Sequence, residues 1–242
     1  MRNGTVTQRI RPRRSVHTRT GLSGDVRQWC SVTSPDTARV ILLTGPSGSG
    51  KSSLAARTGL PVLRLDDFYK EAGDPSLPRL PGSGLVDWDD PASWDARAAV
   101  AAITALCEHG RATVPVYDIS ASARAGEETL DLRGARLFVA EGIFAAELAG
   151  RCRELGLLAD TLCLRGRPVT TFRRRLLRDV REGRKSLPVL VRRGWTLMRN
   201  EGAIVAHHVS LGAHACDRDE ALARIAALGA AAPAVRTPAV RA

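Results

Sequence analysis

Gly45-Pro46-Ser47-Gly48-Ser49-Gly50-Lys51-Ser52 fits the pattern G-x-x-x-x-G-K-[ST] at every fixed position. Before it, Val40-Ile41-Leu42-Leu43 reads as a short buried strand. After it, Ser53-Leu54-Ala55-Ala56-Arg57 can continue a helix. Strand, glycine-rich loop and helix in that order form a phosphate cradle. The glycines let backbone N–H groups point inward, and the helix N-terminus adds partial positive charge. The residues from Gly45 to Ser53 are therefore the nucleotide-binding candidates. Lys51 would neutralise the β- and γ-phosphates, and the Ser52 hydroxyl would hold Mg2+. Lysine occurs only at positions 51, 70 and 185, so a chance match to this pattern is improbable.

The 242 residues suffice for one α/β domain with a sizeable core. No apolar run reaches the ~18 residues of a membrane span, and the N-terminus has no apolar signal-peptide core. The five cysteines (Cys30, Cys107, Cys152, Cys163 and Cys216) form no C-x-x-C pair. They suggest neither a zinc site nor a disulfide framework, and a reducing cytoplasm fits best.

A net charge of +11 raises the question of nucleic acid. Its distribution argues against that partner. Six arginines and no acid fall in the first 24 residues. A second cluster (Arg173, Arg174, Arg175, Arg178, Arg181 and Arg184) lies on one expected helix, and the remainder is nearly balanced.

Residues 1–36 are polar and aperiodic and read as a disordered basic tail. Residues 37–228 read as the folded domain, and 229–242 as a flexible Ala/Pro-rich end. Between the tails, strand and helix signals alternate, which predicts a parallel sheet with helices on both faces. Residues 61–65 read as the second strand. Asp90-Pro91 opens a helix running to His109, with Gly110 as its stop. Residues 112–116 and 129–132 read as short strands outside the main sheet. Residues 137–140 form a buried strand ending in Glu141-Gly142, and residues 161–164 form another. Pro168 opens a basic helix, a further helix covers about 187–207, and the last helix spans Asp219 to Leu228, stopped by Gly229. The adjacent His207 and His208 point about 100° apart on a helix, a poor metal pair, and read as surface residues.

Two acidic signals supplement the loop. Asp66 and Asp67 follow the second strand, and ligands of open α/β sheets gather at the carboxyl ends of strands. An aspartate there can accept the proton of a hydroxyl attacking the γ-phosphate. Glu141 ends an apolar strand, where a carboxylate is costly unless it is paired or binds a ligand.

Taken in order, the phosphate loop, Leu65-Asp66-Asp67-Phe68-Tyr69-Lys70, Asp87-Trp88-Asp89-Asp90-Pro91, Pro115-Val116-Tyr117-Asp118, Ala140-Glu141-Gly142-Ile143 and Leu177-Arg178-Asp179-Val180 resemble the uridine kinase family. The motifs span about residues 40–184. The resemblance implies a P-loop NTPase-type α/β fold, with a substrate-binding insertion between about 66 and 132 and a helical lid near 168–186. It implies transfer of the γ-phosphate of ATP or GTP, with Mg2+, to the 5′-hydroxyl of uridine or cytidine. Asp66 would be the base and would also lie near the metal. Tyr69 would stand beside it, Asp89 would bind the ribose hydroxyls, and Tyr117 would contact the pyrimidine. Arg124 would reach substrate, and Glu141 would lie near Mg2+ and substrate. Arg175, Arg178 and Arg184 would be lid arginines, Arg178 acting on ATP and in catalysis. Family members often assemble as homo-oligomers. The chain departs from the pattern at Ser122, where uridine kinases carry a base-reading histidine, and in a lid shortened by one residue near Gly183. The alternatives are a same-fold kinase acting on pantothenate or a sugar, and a regulatory NTPase whose basic tail binds nucleic acid.

Overall fold

The computed structural model describes residues 37–165 and 201–231. Its main sheet has five strands: β1 (Arg39–Thr44), β2 (Val62–Arg64), β5 (Leu137–Glu141), β6 (Leu158–Leu164) and β7 (His214–Cys216). They pair in the order β2-β5-β1-β6-β7, and every pairing is parallel. The strand that leads into the glycine-rich loop is thus central, with the Glu141 strand beside it. Buried on both faces, β1 and β5 read as continuous apolar runs rather than alternating ones.

Alternate residues of these strands feed two cores. Ile41, Leu43, Leu137, Val139, Leu162 and Leu164 pack with Leu54 and Ala55 of helix α1 (Lys51–Arg57) and with Ala221 and Ile225 of the last helix, Arg218–Ala231. On the other face Val40, Leu42, Phe138 and Ala140 meet α2 (Ala96–His109) and α3 (Ala149–Glu154). Helices therefore cover both faces of a parallel sheet, as expected for a P-loop α/β fold.

The insertion between β2 and β5 holds an antiparallel hairpin, β3 (Arg111–Asp118) and β4 (Ala123–Asp131), longer than the two short strands expected. Among the described residues no helix is long and apolar enough to cross a membrane.

Helix boundaries differ in part from the sequence reading. Asp90 caps only a 3-10 turn at Pro91–Ser93; α2 starts afresh after Asp95, whose carboxylate accepts from Ala98 N. The interruption is Trp94, buried, with Nε1 donating to the Leu65 carbonyl at 2.7 Å. Burial of that indole outweighs the continuity of the helix. Gly110 does stop α2, in the left-handed conformation that glycine adopts without strain. Gly229 does not stop the last helix, which continues to Ala231. A single glycine costs a helix only about 1 kcal/mol, and the preceding turns carry it. The tail 1–36, the lid near 168–186 with Arg175, Arg178 and Arg184, and residues 232–242 lie outside the described residues. Of the expected 187–207 helix, residues 201–210 are helical (α4), so Arg218–Ala231 is α5.

Candidate active site

The glycine-rich loop leaves β1 through Gly45, whose φ is +138°. A Cβ there would lie 2.4 Å from the Leu164 carbonyl oxygen. Both the dihedral and the close approach to β6 demand glycine. Gly48 and Gly50 also have positive φ, and Gly50 opens α1 with no side chain capping the helix. No side chain therefore competes with a ligand for that end of the helix. Lys51 is buried and its Nζ donates to the carbonyls of Gly45 and Pro46 at 2.9 and 3.2 Å, so the cation is held inside the curve of the loop. Ser49 Oγ is buried with no hydrogen-bond partner among the described residues. An orphaned hydroxyl inside a loop of inward-facing donors is what an anionic phosphate would satisfy.

Glu141, at the end of β5, is opposite Leu43 in register, which brings its carboxylate to the loop. Burial pushes its pKa above the usual carboxylate range, opposed by a hydrogen bond from the Ser52 hydroxyl and by the nearby Lys51 charge. Ser52 and Glu141 thus form an oxygen-only pair at the loop, a donor set that suits a hard cation keeping several of its own waters. Among the described residues no group of three or more His, Cys, Asp or Glu could hold a metal. A magnesium ion here would lean on a hydroxyl, a carboxylate and phosphate oxygens, and the residues present fit that mode.

β2 delivers the second carboxylate. It ends at Arg64, and the chain turns through a 3-10 turn, Leu65–Phe68. Asp66 Oδ1 lies 3.1 Å from where a Cβ on Gly142 would stand, and Leu65 Cβ lies 2.8 Å from it. The small residue after Glu141 therefore lets Asp66 settle beside the loop and the second acid. Asp67 points away: buried, it accepts from Tyr117 N at 3.3 Å and approaches Arg64 at 3.5 Å. Burial raises its pKa, and Arg64 and the Tyr117 amide pull it back. Of the two aspartates, Asp66 faces the site and Asp67 ties the turn to β3.

Aromatic rings gather beside Asp66. The Tyr69 ring stands 5.8 Å from Trp88, 6.0 Å from Tyr117 and 6.0 Å from Phe144. Its hydroxyl donates to the Trp88 carbonyl at 3.3 Å. Burial, then the charges of Asp66 and Asp89, push its pKa up, so both carboxylates stand near this phenol. Tyr117 is buried and its hydroxyl donates to the Lys70 carbonyl at 3.0 Å. Asp89 is exposed, and Arg124, opposite Tyr117 on β4, is exposed too. Ser122 occupies the hairpin turn with φ +50°.

One residue departs from its sequence reading. His207 is exposed and pairs with Glu147 at 2.8 Å, but His208 is buried, with Nδ1 3.3 Å from Thr44 Oγ1 and 3.7 Å from Cys163 Sγ. The sequence does carry the signal: Glu201, Ile204, Val205 and His208 recur at helical spacing and form the inward stripe of α4.

No family model matches the chain. Over 116 residues, 45% of the chain, it is 32% identical to the uridine kinase of Saccharomyces cerevisiae, covering 23% of that protein. Over 125 residues, 48% of the chain, it is 29% identical to the inorganic pyrophosphatase TTM2 of Arabidopsis thaliana, covering 17% of that protein. The chain therefore spans under a quarter of the length of these curated relatives. A solved structure described as a candidate fructose transport system kinase from Silicibacter sp. TM1040 matches with a TM-score of 0.51 at 20% identity, covering 70% of this chain and 85% of that one. That likeness is one of fold. The central glycine-rich loop, the Asp66 and Glu141 carboxylates near it and the sequence likeness together make the chain similar to uridine kinase-like P-loop kinases.

Proposed function

We propose that the protein transfers the γ-phosphoryl group of ATP or GTP to the primary hydroxyl of a small molecule, with a pyrimidine ribonucleoside as the first choice of acceptor. One observation carries the reading: Lys51, Ser52, Glu141 and Asp66 converge where the phosphate loop meets the ends of β2 and β5. The S. cerevisiae relative's name, uridine kinase, supports the acceptor class.

The loop's N–H groups and Lys51 would bind the β- and γ-phosphates and offset charge on the γ-oxygens. Ser52 and Glu141 would hold Mg2+, which when bound neutralises phosphate charge. Asp66 would accept the proton of the acceptor hydroxyl as its oxygen bonds to the γ-phosphorus. The bond from that phosphorus to the bridging oxygen breaks in the same displacement, and the nucleoside diphosphate leaves. Tyr69, Trp88 and Phe144 would give the acceptor an apolar wall, and Asp89 a hydroxyl-binding carboxylate at its rim. Tyr117 would contribute its ring rather than its hydroxyl, which is committed to Lys70.

A second reading keeps the chemistry and changes the acceptor to pantothenate or a sugar. It is favoured by Ser122, which offers a short hydroxyl on a turn where a base-reading side chain would stand. The test is nucleotide-dependent product formation across uridine, cytidine, other nucleosides, pantothenate and simple sugars. Phosphorylated uridine or cytidine is the expected result. Turnover on pantothenate or sugars alone would select the second reading, and no turnover on any acceptor would overturn both.

A further inference from the structure

Below the phosphate loop lies a buried polar contact that the proposed transfer does not use. Thr44 is the last residue of β1, immediately before Gly45. Its hydroxyl donates to the Ile143 carbonyl at 3.1 Å, two residues beyond Glu141. A hydroxyl has one proton, so toward any further partner Thr44 Oγ1 can only accept. That partner is His208 Nδ1, at 3.3 Å. The direction assigns the tautomer: Nδ1 carries the hydrogen and points at the threonine, with Cys163 Sγ 3.7 Å away as a weak second acceptor. The imidazole, the threonine and the cysteine are all buried. Burial also holds His208 neutral, with His207 and Lys51 acting in the same direction against Glu147. The nearby Lys51 charge reaches both His208 and Cys163, which places the trio under the lysine that grips the loop.

We propose that His208 is a positioning residue for the phosphate loop. Its Nδ1–H fixes the Thr44 hydroxyl so that the root of the loop stays tied to the chain just beyond Glu141. The role follows from what the hydroxyl joins. Thr44 leads into the residues that would bind phosphate, and Ile143 follows the acid that would share the metal with Ser52. Parallel pairing of β1 with β5 ends at Leu43 and Glu141, with Gly142 N on the Leu43 carbonyl at 3.2 Å, and the Thr44 main chain pairs on its other side with Cys163 of β6; toward β5, the Thr44 hydroxyl on Ile143 is the tie one residue further on. With the imidazole N–H lost, the threonine hydroxyl gains a competing orientation and the loop root loses a fixed point. The contact is supplied by α4, an element remote in sequence from both loop and acid. The inference rests on the nucleotide-binding part of the proposed function.

The test measures the Kd of Mg-ATP directly, with no acceptor present, for the full chain and for His208→Leu, His208→Asn, Thr44→Val and the His208→Leu/Thr44→Val double variant. Asparagine keeps an N–H near the place of Nδ1–H, leucine keeps only bulk, and valine keeps the shape of threonine. Losing one buried hydrogen bond at this point is expected to weaken Mg-ATP roughly three- to tenfold in His208→Leu and in Thr44→Val. His208→Asn is expected to recover most of that loss, and the double variant to be no weaker than the worse single one. Thermal melts of each variant separate folding from positioning. Folded variants that bind Mg-ATP as the wild type does, or a double variant whose losses multiply, would overturn the proposal even if His208 proves important for stability. Should His208→Leu fail to fold, His208→Asn and Thr44→Val still decide it, because a positioning role requires them to differ in Kd. A wild-type chain that does not bind Mg-ATP would instead bring down the functional reading itself.

Discussion

From Thr44 to Ser52 the groups that would meet phosphate are mostly backbone N–H, held by glycines with positive φ, of which Gly45 also has no room for a side chain. From Asp66 to Asp131 the groups that would meet an acceptor are side chains: Asp66 on a 3-10 turn, Tyr69 and Trp88 on loops, and Asp89 exposed at the rim. Backbone geometry can serve any nucleoside triphosphate, because phosphates are alike, and the chain specifies it with few residue choices. Side chains on turns can be exchanged one at a time without disturbing the sheet. The phosphate end therefore declares its chemistry, whereas the acceptor end declares only its general character, an aromatic wall with carboxylates at its edge.

The sharpest way to break this contrast is at the seam, where Asp66 lies against Gly142. Asp66→Asn keeps the shape and removes the proposed base, so turnover should fall about a thousandfold while the Mg-ATP Kd stays within about twofold. Near-normal turnover would show that the proton goes elsewhere. The next largest effect belongs to the phosphate end: Gly45→Ala places a methyl group 2.4 Å from the Leu164 carbonyl at φ +138°. It should cost about 3 kcal/mol or more in a denaturant melt and abolish nucleotide binding.

Acid stability sharpens the comparison further. His208 falls from an ordinary 6.5 to about 4 in the fold, chiefly through burial. The unfolded chain therefore binds the extra proton first. Stability contributed by neutral His208 is complete above about pH 6.5 and is lost as pH falls toward 4, by about 3 kcal/mol in total. Glu141 and Asp67, whose carboxyls are raised by burial, slope the opposite way, since the folded state takes up their protons first. The difference between wild type and His208→Leu, followed by melts from pH 7 to pH 4, isolates the histidine. A difference that does not change with pH would refute the assignment. The smallest effect is the counterpart to Gly45: Gly82→Ala in the acceptor loop meets nothing within 4 Å, and only its φ of +77° is strained. It should cost about 1 kcal/mol and leave Mg-ATP affinity unchanged.

How far the residues foretold the molecule follows the same division. The phosphate loop, its strand and its helix were legible because a fixed motif has one backbone solution. Glu141 was legible because a carboxylate at the end of a buried apolar run demands a reason. The start of α2 was misplaced because Asp90-Pro91 is a sound local opening, and only the tertiary seat of Trp94 on the Leu65 carbonyl shows why the helix waits for Asp95. The burial of His208 does not show in the adjacent pair, whose rings point about 100° apart; it shows in the stripe from Glu201 through Ile204 and Val205, which turns only His208 inward. Nothing local in Ser122 reveals that it turns a hairpin at positive φ, since that depends on the pairing of β3 with β4.

The seat of Trp94 has a consequence for how such an enzyme could change its diet. The indole pins the Asp66 turn to the residues just before α2, and Asp67 pins the same turn to Tyr117 on β3. Between the turn and Trp94, residues 73–90 form an excursion closed on itself by the Arg79–Val86 bridge and fastened to the turn by the Tyr69 hydroxyl on the Trp88 carbonyl. Under the proposed function, mutations there would remodel the mouth that admits the acceptor while Asp66 keeps its place. Substrate range can thus drift among descendants of one scaffold with no interval in which the chemistry is lost.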